Sequence, residues 1–364
     1  MNPTLLQYLV RLKSSIDERQ ADWDRCKKLT NPYEYVHTPL PGTKQAVCKL
    51  RPLSRSFYKL TEMYHMMGLG DTLDGACKVF YLAEGPGGFI EAMLSLRGEG
   101  DTHVAISLTD DHDPSVPGWK KARRFLEDNP SVTIERGADG TGDLFDPCTL
   151  EQICDAHGGS ADLVTADGGF NFSADFNRQE EASTQLIACQ MAYVFGVQKT
   201  GGCSVVKFFD TFTQASLDLV YLLLLAYDNV SWVKPCTSRF ANSERYAVCK
   251  GFRLRDARAC SKALRATIDP CDRSAPVARF VNCEIPYVVR NRVEEYNAIF
   301  GQQQVESISH TLCMIDNPRH DRVDAMRKGN VNKCVAWCQK HRVPFNRVTP
   351  VSNAFIGARV STSQ

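Results

Sequence analysis

Long apolar runs are missing from this sequence. The most apolar stretch, Leu217 to Tyr227, is interrupted by Asp218 and falls short of the roughly 18 residues a membrane span needs. Net charge is nearly missing as well: 43 Lys and Arg face 42 Asp and Glu, a formal +1. That excludes a wholly basic nucleic-acid coat protein, and 43% hydrophobic residues exclude a disordered chain. No internal repeat or low-complexity tract is visible. No small-residue cleavage site follows the short apolar segment of MNPTLLQYLVRLKSS, which reads as an amphipathic helix and not as a secretory signal. Cys-x-x-Cys pairs are lacking, although there are fifteen cysteines, an odd number at irregular spacing. Such usage speaks against a disulfide framework and for a reducing intracellular compartment, nucleus or cytoplasm. Cys334 and Cys338 with His341, and upstream His310 and Cys313, leave two readings open. They are zinc ligands, or the thiols of a helix, NVNKCVAWCQKHR, facing a core; no metal is assigned.

What is present is a division of charge. From Arg253 to the end the chain carries 18 Lys and Arg against 10 Asp and Glu, a net of +8, so residues 1–252 carry −7. One basic face is enough to hold a polyanion. The pattern of apolar residues divides the chain similarly. Residues 1–30 read as a helix, NPYEYVHTPLPG as a loop, and SRSFYKLTEMYHMM as a second helix. Seven strand-like runs follow: Lys78–Ala83, His103–Leu108, Val132–Glu135, Ala161–Ala166, Gly202–Phe208, Val230–Lys234 and Tyr246–Phe252. Helical stretches alternate with them at Phe89–Leu96, Gly118–Glu127, Leu150–Asp155, Glu180–Phe195 and Gln214–Ala226. This alternation predicts an α/β fold with a mostly parallel sheet covered on both faces, whose ligand lies beyond the carboxyl ends of the strands. Beyond residue 255 the alternation stops, and helical stretches are expected around Val289–Phe300 and Val331–His341. Three segments result: an N-terminal helical extension (1–50), the α/β domain (51–255), and a basic, mainly helical extension (256–364).

Strand exits are therefore where function is sought. The first reads Tyr81-Leu-Ala-Glu-Gly-Pro-Gly-Gly-Phe89 and runs straight into a helix. Glycines at such a turn let a ligand approach the backbone, and the helix N-terminus favours negative charge, from a phosphate or from the carboxylate of an amino-acid-like cofactor. The turn is neither a P-loop nor a six-residue dinucleotide fingerprint. The fourth strand ends at Asp167, and the fifth, an apolar run, ends at Lys207. A buried lysine is costly unless paired, and burial beside other cations depresses its pKa. Lys59 lies on the helix before the first strand, and Glu244 just before the last. Their positions place these four charges at one edge of one sheet.

This set resembles the FtsJ-like family of RNA ribose 2′-O-methyltransferases. In that family a Lys-Asp-Lys-Glu tetrad sits on a seven-stranded Rossmann-like sheet, with S-adenosylmethionine as methyl donor. Ser54-Arg55-x-x-x-Lys59-Leu matches its first lysine, Asp167 and Lys207 its aspartate and second lysine, and Lys234-Pro…Ser238-Arg239…Ser243-Glu244-x-Tyr246 its glutamate. The likeness covers roughly residues 50–255. Within the family the chain is most similar to mRNA cap methyltransferases, including those of large DNA viruses; for a viral enzyme a viral factory becomes the expected location. The resemblance implies cofactor contacts from Glu84, Gly85, Pro86, Gly87, Gly88, Phe89, Asp143 and Asp167, with Asp110 (or Asp111) as ribose ligand. Tyr81-Leu-Ala83 departs from the Asp-Leu-Gly of the bacterial ribosomal members. It further implies that Lys207, its pKa lowered by burial and by Lys59, takes the proton of the ribose hydroxyl. Asp167 and Glu244 orient the lysines, and Lys59 steers the hydroxyl. Arg55, Ser238, Arg239 and Ser243 are the expected RNA contacts, with Arg290, Arg292, Arg327 and Lys328 on the basic extension. Phe170, Phe172, Phe176 and Trp119 are candidates for stacking on a cap base. Capped mRNA, with other capping or transcription proteins, is the expected partner, and a membrane is not. Ribosomal or transfer RNA as substrate, and an inactive RNA-binding module, are the alternatives.

Overall fold

A computed structural model of the chain describes residues 1–110, 112–113, 116–169, 177–268, 272–273 and 276–347. They form two compact units. The first comprises Met1–Glu18 and Pro52–Ile308; the second comprises Arg19–Arg51 and the described residues from Ser309 onward.

The first unit is built on a seven-stranded sheet: β1 (Lys78–Leu82), β2 (Thr102–Ile106), β3 (Val132–Glu135), β4 (Ala161–Ala166), β5 (Gln198–Phe208), β6 (Tyr227–Val233) and β7 (Arg245–Phe252). Their order is β3-β2-β1-β4-β5-β7-β6, parallel except for β7, which runs antiparallel to both neighbours. Val79, Phe80, Tyr81 and Leu82 are all fully buried, so both faces of β1 are covered. The expected mostly parallel, Rossmann-like sheet is thus present.

The helices of this unit are α1 (Pro3–Asp17), α3 (Ser56–Met66), α4 (Gly88–Arg97), α5 (Arg123–Asp128), α6 (Pro147–His157), α7 (Gln179–Val197), α8 (Gln214–Ala226), α9 (Ala257–Arg265) and the part of α10 (Tyr287–Asp316) up to residue 308. Asp146 caps α6 by accepting from Cys148 N and Thr149 N, and Thr213 caps α8 by accepting from Ser216 N. Asp218, which interrupts the most apolar run, is fully buried and accepts from Arg279 Nε at 2.8 Å and Phe280 N at 2.8 Å. The core formed by Phe80, Leu82, Val164 and Leu219 continues through Leu264, Ile268, Phe280, Ile285 and Val293. The compositional boundary at residue 255 therefore runs through a hydrophobic core, because segments lacking strand–helix alternation still supply apolar side chains.

The N-terminal helix is divided as well: α1 ends at Asp17, and α2 (Gln20–Thr30) belongs to the second unit. In that unit α2, a 3-10 turn at Glu34–Val36 and α11 (His320–Lys340) pack together. Thr30 Oγ1 lies 2.7 Å from Thr311 Oγ1, and Asn330 Nδ2 donates to Leu29 O at 2.7 Å. Cys334, Trp337 and Cys338 are buried along α11, while His310 and Cys313 face outward on α10. Among the described residues no group of three or more His, Cys, Asp or Glu could hold a metal, and no helix is long and apolar enough to cross a membrane.

Candidate active site

Register places the site. Ala166 of β4 is opposite Val206 of β5, and Lys207 of β5 is opposite Tyr246 of β7. Asp167, Lys207 and Tyr246 therefore form one row across three adjacent strands, and side chains at paired positions share a face. The row lies at the carboxyl end of the parallel strands, beside the switch point where β1 has β2 on one side and β4 on the other.

Lys207 Nζ lies 3.1 Å from Asp167 Oδ1 and donates to Asp167 O at 2.8 Å. A second lysine arrives from α3, whose residues 57–63 are buried along its length. Lys59 Nζ lies 2.7 Å from Glu244 Oε1, and both side chains are less than a tenth exposed. The Tyr246 hydroxyl joins the two pairs: it accepts from Lys59 Nζ at 3.3 Å and donates to Asp167 Oδ1 at 2.8 Å. The four residues matched to the tetrad thus converge on one buried cluster.

Supports hold Glu244 in place. Ser238 Oγ donates to Glu244 Oε1 at 2.8 Å, and Lys234 Nζ donates to Glu244 O and Asn242 O, both at 2.7 Å. Burial pushes the Lys234 ammonium down to about 7 against the pull of Glu244. Glu62 accepts from Cys236 N at 2.7 Å and Thr237 N at 3.2 Å, pinning the same loop to α3. Ser238, expected to touch RNA, is fully buried and is instead one of these supports. Ser243, expected in the same role, is buried and donates to Gln179 Oε1 at 2.6 Å. The resemblance implies RNA contacts for both, but here the Glu244 carboxylate takes the Ser238 hydroxyl and the Gln179 amide oxygen takes that of Ser243. Arg55 and Arg239 are half-buried, and the Arg55 charge reaches Glu244 and Lys59.

The electrostatics correct one expectation. Burial pulls the Lys207 ammonium down, yet Asp167 and Glu244 more than offset it, so its pKa is raised and not lowered. Lys59 is the lysine pushed down, by burial, against the opposing pull of Glu244 and Asp167. Burial also pulls the Glu244 carboxyl up, but the cations of Lys59 and Lys207 hold it well below the usual range. Asp167 and Glu244 are expected beside the lysines; what the sequence does not show is that their pull on Lys207 outweighs burial and Lys59.

At the exit of β1, Ala83 adopts φ +54° and Gly87 φ +107°, folding the turn back into α4. Glu84 is buried beneath it. One carboxylate oxygen accepts from Phe89 N, and the other, Oε2, has no hydrogen-bond partner. Burial, then Asp167, pushes its pKa well above the ordinary value. At Gly85 a Cβ would come 2.7 Å from Gly118 O, so this turn is closed to side chains. Trp119 reaches the same turn, its Cζ3 3.9 Å from where a Cβ of Gly87 would sit. Asp143 lines a cavity of about 430 Å³ together with Ala138, Asp139, Phe145 and Arg273. Its carboxylate accepts from Phe145 N at 3.0 Å and pairs with Arg273, whose guanidinium lies 4.8 Å over the Phe145 ring. Asp110 behaves differently: it is exposed, and its Oδ1 accepts from His112 N at 2.7 Å and Asp113 N at 3.2 Å in a local turn. Asp111, Phe170, Phe172 and Phe176 lie outside the described residues.

An orphaned buried acceptor at Glu84, a glycine turn opening a helix and an acidic cavity wall at Asp143 fit a donor with a cationic amino-acid end and an amine-bearing base. Glu84 would hold the former and Asp143 the latter. Tyr246, Lys234, Glu62 and Gln190, whose Oε1 accepts from Gly168 N at 2.9 Å, were not anticipated as site residues. Only Tyr246 and Lys234 carried a sequence signal, as the flanks of the Glu244 segment.

On the basic region, Arg292 pairs with Glu295 at 2.7 Å, Arg327 with Asp324 at 3.3 Å, and Arg290 donates to Gln214 Oε1 at 3.3 Å. The chain is 32% identical over 259 residues to cap-specific mRNA (nucleoside-2′-O-)-methyltransferase 1 of Danio rerio, covering 68% of this chain and 31% of that protein. To the Homo sapiens protein of the same name it is 31% identical over 260 residues, covering 69% and 31%. The chain thus spans about a third of the length of the curated relatives it matches. Among solved structures, a ribosomal RNA methyltransferase from Plasmodium falciparum aligns at TM-score 0.40 and 19% identity, covering 56% of this chain and 99% of that one. Residues 52–252 match the FtsJ-like methyltransferase family, and the chain belongs to it.

Proposed function

We propose that this chain transfers a methyl group from S-adenosylmethionine to a ribose 2′-hydroxyl near the 5′ cap of mRNA. The observation that carries the reading is the buried cluster of Lys59, Asp167, Lys207 and Glu244 at the strand exits, beside an unsatisfied Glu84 carboxylate. A ribose hydroxyl is a poor nucleophile at neutral pH, so positioning and removal of one proton are what the protein must provide. When bound, the donor supplies an electrophilic methyl on a positively charged sulfonium, and that charge disfavours a neighbouring ammonium.

Lys207 is the group that accepts the hydroxyl proton, and Asp167 fixes its amine through two contacts, 3.1 Å to Oδ1 and 2.8 Å to the carbonyl. Lys59, clamped by Glu244, orients the hydroxyl from the other side. Neutral Lys207 is a minority species at pH 7, because the two carboxylates hold its proton. Arg55 and Arg239, both half-buried, contact RNA phosphates. The similarity to cap-specific relatives supports the cap as the feature recognised.

The test is methyl transfer from labelled S-adenosylmethionine to short transcripts with and without a methylated guanosine cap, followed by location of the label. Cap-dependent label on a ribose 2′-oxygen is expected. Equal labelling without the cap would move the substrate to ribosomal or transfer RNA. RNA binding without labelling of any substrate would make the chain a binding module.

A further inference from the structure

We infer that Tyr246 is a positioning residue that couples the two ion pairs of the site by sharing the Asp167 carboxylate with Lys207. The inference rests on the methyl-transfer reading for its meaning, and on geometry for its basis. An ammonium can only donate and a carboxylate can only accept. The single hydroxyl proton of Tyr246 is therefore committed to Asp167 Oδ1 at 2.8 Å, and its lone pair to Lys59 Nζ at 3.3 Å. The oxygen that receives the Tyr246 proton is the one that lies 3.1 Å from Lys207. Nothing in the fold demands a hydroxyl here. Tyr246 is fully buried, its ring packs 6.2 Å from that of Phe89, and phenylalanine would occupy the same space.

A hydrogen bond to a carboxylate takes up part of its negative charge, leaving less to hold a neighbouring ammonium. Tyr246 thus loosens the grip of Asp167 on the Lys207 proton, counteracting the carboxylates that raise it. Burial, Asp167 and Glu244 keep the phenol itself protonated. The charges facing this network come from the elements around it: Asp167 at β4, Lys207 on β5, Glu84 at the exit of β1, Lys59 and Arg55 at α3, Lys234 after β6 and Glu244 before β7. In each of them the charge differs from Tyr246 in one respect: Tyr246 acts without carrying any.

Lysine side-chain NMR titrations of wild type, Y246F, D167N and the double variant, beside pH–rate profiles of wild type and Y246F, test this. In Y246F, Lys207 should titrate about one pH unit higher, which is a factor of about ten in its neutral fraction. The turnover number at pH 7 should fall by about the same factor, with donor affinity and KM for RNA unchanged. In the D167N background the titration shift should vanish, because the charge through which Tyr246 acts is gone. An unmoved Lys207 titration in Y246F, an equal shift with D167N, or a Y246F chain that does not fold overturns the inference. The expected Lys207 shift in Y246F, found beside a wild type that methylates no RNA, overturns the functional reading and leaves the coupling standing.

Discussion

Replacing Glu244 by Gln keeps the shape of the site and the acceptor for Ser238, and removes one charge. Lys59 Nζ then faces a neutral oxygen at a position where it had a carboxylate 2.7 Å away, with only 5% of its side chain exposed. Breaking a buried pair by removing one partner costs about 3–5 kcal/mol; the retained amide oxygen recovers part of this, so a loss of about 2–4 kcal/mol is expected at pH 7. The sign against pH follows from the two partners. Glu244 is held below its ordinary value of 4.5, so its contribution is present above that pH and fades as pH falls through the folded-state value. On the alkaline side the variant relieves its unpaired cation, since Lys59, already pushed down by burial, loses its proton more readily without Glu244. The gap between wild type and variant should therefore be widest at pH 5–7 and narrow toward both acid and alkali. Urea unfolding from pH 3.5 to 9 measures it. A second comparison removes the cation: K59M/E244Q should be less destabilised than E244Q, because no charge is left stranded. A gap under about 1 kcal/mol at pH 7, or one flat with pH, would refute the reasoning that this pair is both buried and charged.

Other outcomes are as specific. K207A should lose methyl transfer by more than about 100-fold, as expected for removal of a general base, with S-adenosylmethionine affinity by calorimetry little changed; near-normal turnover would remove Lys207 from that role. Because Asp167 and Glu244 hold the Lys207 proton, the wild-type rate should climb with pH through the neutral range; a profile flat from pH 6 to 8 would exclude proton removal by this amine. Glu84 is an acid whose pKa is raised by folding, so its ionisation costs stability as pH rises above the ordinary value. E84Q should raise the melting temperature at pH 7 while weakening donor binding about tenfold or more, a charge-assisted bond being worth roughly 1.5–3 kcal/mol; unchanged binding would take Glu84 out of the donor site.

The sheet was largely legible because its strands are short apolar runs between turn residues. Lys78–Leu82, Ala161–Ala166 and the last strand all fall where that pattern puts them. Helix ends were less so. A helical stretch is expected around Val289–Phe300, whereas α10 runs from Tyr287 to Asp316, past Gly301. Gly301 is not a terminator: a Cβ there would lie 2.7 Å from Leu5 Cδ2, so glycine permits α1 to pack close. The break between α1 and α2 at Glu18–Arg19 carries neither glycine nor proline, and nothing local marks it. At the site, Lys59, Asp167, Lys207 and Glu244 could be found because they stand at successive ends of one sheet, or on the helix before it, and match the tetrad motifs of the family together. The roles of Ser238 and Ser243 could not, since which way a loop hydroxyl turns depends on what lies beneath it.

The antiparallel course of β7 ties chemistry to one region of the sheet in a way that bears on partial unfolding. Proteins open in cooperative segments, and an edge hairpin opens more readily than a central strand. β6 and β7 form the outer pair here, and β7 is introduced by Glu244 and carries Tyr246. A fluctuation that peels this hairpin from β5 takes both residues away together and strands Lys59 without its carboxylate. The glycine turn after β1, Asp167 and Lys207 stay on the parallel strands and keep their places. Under mild denaturant the chain should therefore pass through a range in which it still captures the methyl donor and no longer transfers from it. Hydrogen exchange along β6 and β7 would then report catalytic competence more faithfully than the melting of the whole fold.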